Sequence, residues 1–137
     1  MSIELWMLLA GSVMVASLWM PFVIGVNLHL PASQEPGLRP PDTTLLPDWV
    51  QRANRAHLNL VEQFAPFAAL VLTIELTGLS SALTGIAAMA FIVLRAAHAV
   101  GYITAMAQIP VRPIIFTAAW LCLIVMAVDV GRLALFG

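Results

Sequence analysis

The chain has 137 residues, a length for one domain, and 61% of them are hydrophobic against 9% charged, with a mean hydropathy of +0.96. That balance excludes a soluble globular protein and predicts an integral membrane protein. The formal charge is −1 and all six basic residues are scattered arginines, which excludes a nucleic-acid binder with a basic face.

The N-terminal stretch MSIELWMLLAGSVMVASLWM has an acidic lead-in and an apolar run longer than the core of a secretory signal, so it reads as a retained first helix. Leu5 to Val26 is apolar throughout and of spanning length, since about 20 helical residues cross a hydrocarbon core of roughly 30 Å. Pro21 lies inside it and leaves the carbonyl of Ser17 without its helical partner, which favours a bend. The next segment, PASQEPGLRPPDTTLLPDW, carries five of the nine prolines and reads as a loop outside the bilayer.

A second span starts at Pro47 and Asp48, with proline in the first turn and an acid at the positive end of the helix dipole, and stops at Gly78. Only twelve residues separate Glu62 from Glu75, too few to span alone, so polar residues of this helix lie at membrane depth. A third span begins at the cap candidates Ser80 and Ser81, and a fourth at Arg112 and Pro113. Asp129 and Arg132 near its far end suit an i, i+3 ion pair. The single Cys122 lies in an apolar run, so neither a disulfide nor a thiolate metal site is expected.

The fold class is therefore all-α: one domain over 1–137, an integral membrane four-helix bundle with spans at about 5–29, 48–77, 81–107 and 112–135 and a loop at about 31–47. Arg39, Arg52, Arg55 and Arg112 fall on the side bearing the first and third loops. The positive-inside rule then puts those loops in the cytoplasm and both termini outside.

One stretch breaks the apolar pattern, RANRAHLNLVEQFAPF from Arg52 to Phe67. On a helix advancing about 100° per residue, Arg52, Arg55, Asn59 and Glu62 fall near 0°, 300°, 340° and 280°, one stripe, whereas His57 points elsewhere, near 140°. Arg95, His98 and Tyr102 repeat that geometry on the third span. An ionisable group inside a span pairs or lines a cavity, and the obvious pair is Glu62 with Arg95. Arg52, Arg55 and Arg112 then remain as excess cation, which invites an anionic ligand. Arg112 also starts a helix, where free backbone N–H groups favour negative charge, and such a setting lowers a thiol's pKa from its free value of about 8.5.

The segment Arg55-Ala-His57-Leu-Asn59-Leu-Val-Glu62 followed by Pro66-Phe67 resembles the second-helix signature of the MAPEG family, membrane-associated proteins in eicosanoid and glutathione metabolism. Arg95-x-x-His98-x-x-x-Tyr102 with Arg112 beyond it is similar to the pattern of its microsomal glutathione transferase and prostaglandin E synthase branches. The resemblance covers essentially the whole chain. It implies a homotrimer that binds glutathione as cosubstrate between adjacent subunits. By position Arg55, His57, Asn59 and Glu62 match glutathione-binding residues, joined by Arg52 from the charge argument. Arg95 and His98 match binding or supporting residues, and Arg112 matches the thiolate-stabilising arginine, with Tyr102 placed beside it in the catalytic pair.

Where some relatives carry a basic residue at the end of the first helix, this chain reads Asn27-Leu-His29. That departure favours a general transferase or peroxidase acting on hydrophobic electrophiles over an eicosanoid-specific enzyme. The competing readings are a noncatalytic protein binding glutathione or lipid, and a small transporter. Transport fits less well, because the first helix has no acid deeper than Glu4. No nucleic acid is expected as a partner. The expected location is a bacterial inner membrane, with membrane lipid and a hydrophobic small molecule as partners.

Overall fold

The computed structural model describes residues 1–31 and 42–136. The described residues are helical apart from short connections: α1 Ile3–Leu18, α2 Met20–His29, a 3-10 turn Thr43–Leu45, α3 Asp48–Thr77, α4 Ala82–Ile103 and α5 Val111–Phe136. Four spans, Ile3–His29, Asp48–Thr77, Ala82–Ile103 and Val111–Phe136, are long and apolar enough to cross a membrane. Most of the first loop, with Arg39, lies outside the described residues.

The first span is two helices. Pro21 supplies no N–H to the Ser17 carbonyl, the Trp19 N–H turns to that carbonyl instead, and the helix breaks there. α3 starts after Pro47 and closes at Gly78, whose φ of 70° is left-handed, with Leu79 N–H returning to the Ile74 carbonyl at 3.2 Å. α4 is opened by a capping box between Ser81 and Thr84. It ends at Ile103, four residues before the expected 107. The chain reverses through Ala105, at φ 60°, and Ala107 donates its N–H to the Gly101 carbonyl at 2.9 Å. A Cβ on Gly101 would stand 2.7 Å from that of Ala107, so this reversal needs glycine at 101.

The core lies where α3, α4 and α5 meet, with α1 packed across α3 and α4 and α2 against α3. Phe67 of α3 and Phe91 of α4, both fully buried, stack at 4.4 Å. Gly11 lets α1 approach, because a Cβ there would meet the Phe64 and Ile92 side chains at 2.6 and 2.9 Å. Leu76, Val93, Val100, Ile114 and Val128 face outward, as lipid-facing residues of a spanning bundle do.

The end of the bundle holding the N-terminus is tied by carboxylates. Glu4 is 1% exposed and accepts hydrogen bonds from Ser80 Oγ (2.9 Å) and Thr84 Oγ1 (2.6 Å), and Ser2 donates to Glu75. Asp129 pairs with Arg132 at 2.8 Å and also accepts from the α4 cap Ser81 at 2.5 Å, joining α5 to the start of α4. The opposite end is built differently, from arginines.

Candidate functional site

At that opposite end the start of α3, the end of α4 and the start of α5 converge. The period of α3 puts Arg52, Arg55 and Asn59 on one side of the helix, and α4 presents His98 and Tyr102 one turn apart. Arg112 enters as the second residue of α5, and its guanidinium lies over the Tyr102 ring, 4.8 Å from the centroid. Arg55, Asn59, His98, Tyr102 and Arg112, with Pro113 and Phe116, line a cavity of about 310 Å³.

A second cavity, of about 410 Å³, shares Arg55 and Tyr102 with the first and adds Arg52, Gln51, Asn54, Asp48, Thr43 and Thr44. The 3-10 turn that presents the two threonines is capped by Asp42, whose Oδ1 accepts from the Thr44 hydroxyl at 2.7 Å and the Thr44 N–H at 2.9 Å. Those bonds, the hydroxyl's first, hold the Asp42 carboxyl below the ordinary value of 3.8.

Arg52 does more than offer charge: its Nε donates to the Ile103 carbonyl at 3.1 Å, satisfying the end of α4. Arg55 is exposed and makes no hydrogen bond to a described residue. Between described residues the ion pair formed is Arg132 with Asp129, so the arginines at this end carry positive charge that no described carboxylate pairs.

Two expectations change. Glu62 and Arg95 form no ion pair within 4 Å, although Glu62 lies near enough to act on the Arg95 charge through space. Glu62 is exposed and lines a separate groove of about 520 Å³ between α3 and α5, with Pro66, Leu70 and Trp120 among its walls. Arg95 is 1% exposed and sits behind the site, with Nη1 donating to Gln63 Oε1 at 3.4 Å and Cζ 5.5 Å from the Phe116 centroid. On the same helical scale Gln63 falls near 20°, just beyond Arg52, and Glu62 near 280°, at the opposite edge of the stripe.

The start of α5 is also less free than expected. Arg112 N–H is bonded to the Gln108 carbonyl at 3.1 Å, Ile114 N–H to the Pro110 carbonyl at 3.4 Å, and Pro113 has no N–H. The positive field at this point therefore comes chiefly from the guanidinium. His57, half-buried on another side of α3 as expected, lines neither cavity, and its Nδ1 has no hydrogen-bond partner among the described residues.

Phe116, Gln63 and Asn54 are site-end residues that a search for charged side chains passes over. Phe116 was findable as i+4 from Arg112, and Gln63 from its angle on the stripe. No group of three or more metal-ligating side chains occurs among the described residues.

Residues 3–131 match the model of the MAPEG family, nearly the whole chain, and the protein belongs to that family. No curated protein matches it.

Proposed function

We propose that this protein is a glutathione-dependent membrane transferase or peroxidase. The observation that carries the reading is the pair of adjoining cavities lined by Arg52, Arg55 and Arg112, with no carboxylate of a described residue in an ion pair with them. Family membership points the same way, towards glutathione-related chemistry. Glutathione brings two carboxylates, an ammonium and a thiol, which suits a donor-rich pocket containing one acid, Asp48.

Arg55, Asn59 and Arg52 bind and orient the tripeptide. Arg112, held against Tyr102, stabilises the sulfur as thiolate, and the Tyr102 hydroxyl donates to it. The thiol proton leaves to water. The thiolate then forms a bond to an electrophilic carbon, and the displaced group departs with its electron pair. With a hydroperoxide, the thiolate sulfur bonds to the terminal oxygen as the O–O bond breaks and the alkoxide leaves with the electron pair, to be protonated by water to the alcohol; a second glutathione then condenses with the sulfenic acid to give glutathione disulfide and water. Catalysis consists of proximity and electrostatic stabilisation, with no covalent enzyme intermediate.

The second substrate is apolar. A groove of about 390 Å³ on α5, lined by Pro113, Ile114, Thr117, Ala118 and Leu121, shares Pro113 with the site cavity and gives a lipid-dissolved electrophile a route to the sulfur. The working assembly is a homotrimer in a bacterial inner membrane, with both termini outside the cytoplasm and this site facing it. Support for assembly comes from Glu62, exposed on a spanning helix where a carboxylate facing lipid is costly. His57, which lines neither cavity of its own chain, then meets ligand across a subunit boundary. Turnover of glutathione with a hydrophobic aryl halide or hydroperoxide by the purified protein tests the reading, and Arg112→Ala must remove it.

A further inference from the structure

Serine and threonine hydroxyls lie within the four spans at Ser12, Ser17, Thr73, Thr77, Thr84 and Thr117. All but the last are hydrogen-bonded. Ser12 donates to the Leu8 carbonyl at 2.8 Å, Thr73 to that of Ala69 at 2.9 Å and Thr77 to that of Thr73 at 2.6 Å; Ser17 turns back to Val13 in the same way, and Thr84 is bonded to Glu4. Even the thiol of Cys122 donates to the Ala118 carbonyl, at 3.3 Å. The cause is the surroundings: hydrocarbon offers no partner, so a hydroxyl that faces it turns back on its own helix. Thr117 does not. It is exposed on α5 and makes no hydrogen bond to a described residue.

The place of this hydroxyl gives the exception a use. Thr117 is the polar member of the groove of about 390 Å³ whose other walls are Pro113, Ile114, Ala118 and Leu121, and Pro113 also lines the cavity that holds Arg112. Four residues apart on one helix face, Thr117 and Pro113 are separated by about 6 Å along α5. A molecule lying in the groove with its reacting atom at the cavity therefore passes the hydroxyl one turn away. A ligand without an acceptor there covers the hydroxyl and leaves it unpaired, whereas a ligand with one satisfies it, so the groove discriminates between them.

We infer that Thr117 is a specificity-determining residue whose hydroxyl donates to an oxygen of the apolar substrate. The substrates favoured are lipid-soluble electrophiles carrying a carbonyl or ether oxygen about 6 Å from the reacting atom. The position of the reacting atom rests on the glutathione reading. The hydrogen bond to a ligand oxygen in the groove does not.

Two primary alkyl iodides of equal chain length test it with the purified full chain in detergent and saturating glutathione, one with an ether oxygen about 6 Å from the reacting carbon and the other with a methylene there. One neutral hydrogen bond should make the ether-to-methylene ratio of kcat/KM roughly 2- to 12-fold higher in wild type than in Thr117→Val, which keeps the branched shape and loses the donor. Comparing ratios cancels the intrinsic reactivity of the iodides and their partition into detergent. Thr117→Ser should keep the wild-type ratio. Equal ratios in wild type and Thr117→Val overturn the inference, and a ratio that falls as far in Thr117→Ser as in Thr117→Val assigns the effect to shape and overturns it too.

A second measurement needs no turnover. The carbonyl stretch of an unreactive long-chain ketone, read by infrared difference between wild type and Thr117→Val without glutathione, should show a hydrogen-bonded band of lowered frequency in wild type alone. That band in a wild type that turns over neither iodide sinks the function proposed above and leaves this inference standing. Turnover with equal ratios and no such band sinks this inference alone, and the absence of both sinks both.

Discussion

Replacing Arg55 with methionine separates ligand binding from folding. Arg55 is exposed, lines both cavities and makes no hydrogen bond to a described residue, so its removal breaks nothing that the fold uses. A charge-assisted hydrogen bond to a ligand carboxylate contributes about 1.5–3 kcal/mol. At about 1.4 kcal/mol per tenfold, Arg55→Met should raise the Kd for glutathione roughly 10- to 150-fold. Titration calorimetry on the purified protein reads that change, and a denaturant titration of the same sample should show an unchanged midpoint. Added salt should weaken the wild type more than the variant, because screening acts on the charge that the variant lacks. Binding equal to wild type would refute the placement of the ligand carboxylate at Arg55. A large loss of stability would refute its freedom from structural duty.

Arg52→Met should lose, besides ligand affinity, about 1–3 kcal/mol of stability because its Nε no longer satisfies the Ile103 carbonyl; an unchanged unfolding midpoint in mild detergent would count against that bond. Gly78→Ala forces a side chain into left-handed backbone at φ 70° with open space around it, so it should cost about 1–2 kcal/mol by strain alone, read in the same assay. Asp42 has its carboxyl held down by Thr44, so its contribution is present above the unfolded value and lost as pH falls through the folded one, below 3.8. Its carboxyl carbon resonance should titrate below 3.8 in wild type and move towards 3.8 in Thr44→Val, which keeps the N–H bond and loses the hydroxyl; identical midpoints would exclude the hydroxyl as the main cause.

The four spans were legible because hydropathy and punctuation agree: Pro47 before α3, Gly78 after it and Ser81 before α4 are residues whose local chemistry starts or stops a helix. The early end of α4 was not, because its reversal runs through Ala105 in a conformation that glycine or asparagine would have announced. The polar stripe of α3 and its meeting with Tyr102 and Arg112 were readable from angular position. Charge alone points to Glu62 as the partner of Arg95, whereas the hydrogen bond goes to the neutral Gln63 at the other edge of the stripe. No sequence rule could show that loop carbonyls at Gln108 and Pro110 occupy N–H groups of the first turn of α5. That depends on how the reversal folds back. The burial of Glu4 was equally hidden, since it comes from hydroxyls at Ser80 and Thr84, far along the chain.

The central claim is that this end of the bundle holds glutathione as a thiolate beside Arg112. Its most direct measurement is the ultraviolet difference spectrum on adding glutathione to the purified protein at neutral pH, in wild type and Arg112→Ala. Thiolate absorbance should rise to saturation in the wild type and be absent or strongly reduced in the variant. No thiolate signal in the wild type, or the same signal in both proteins, would contradict the account.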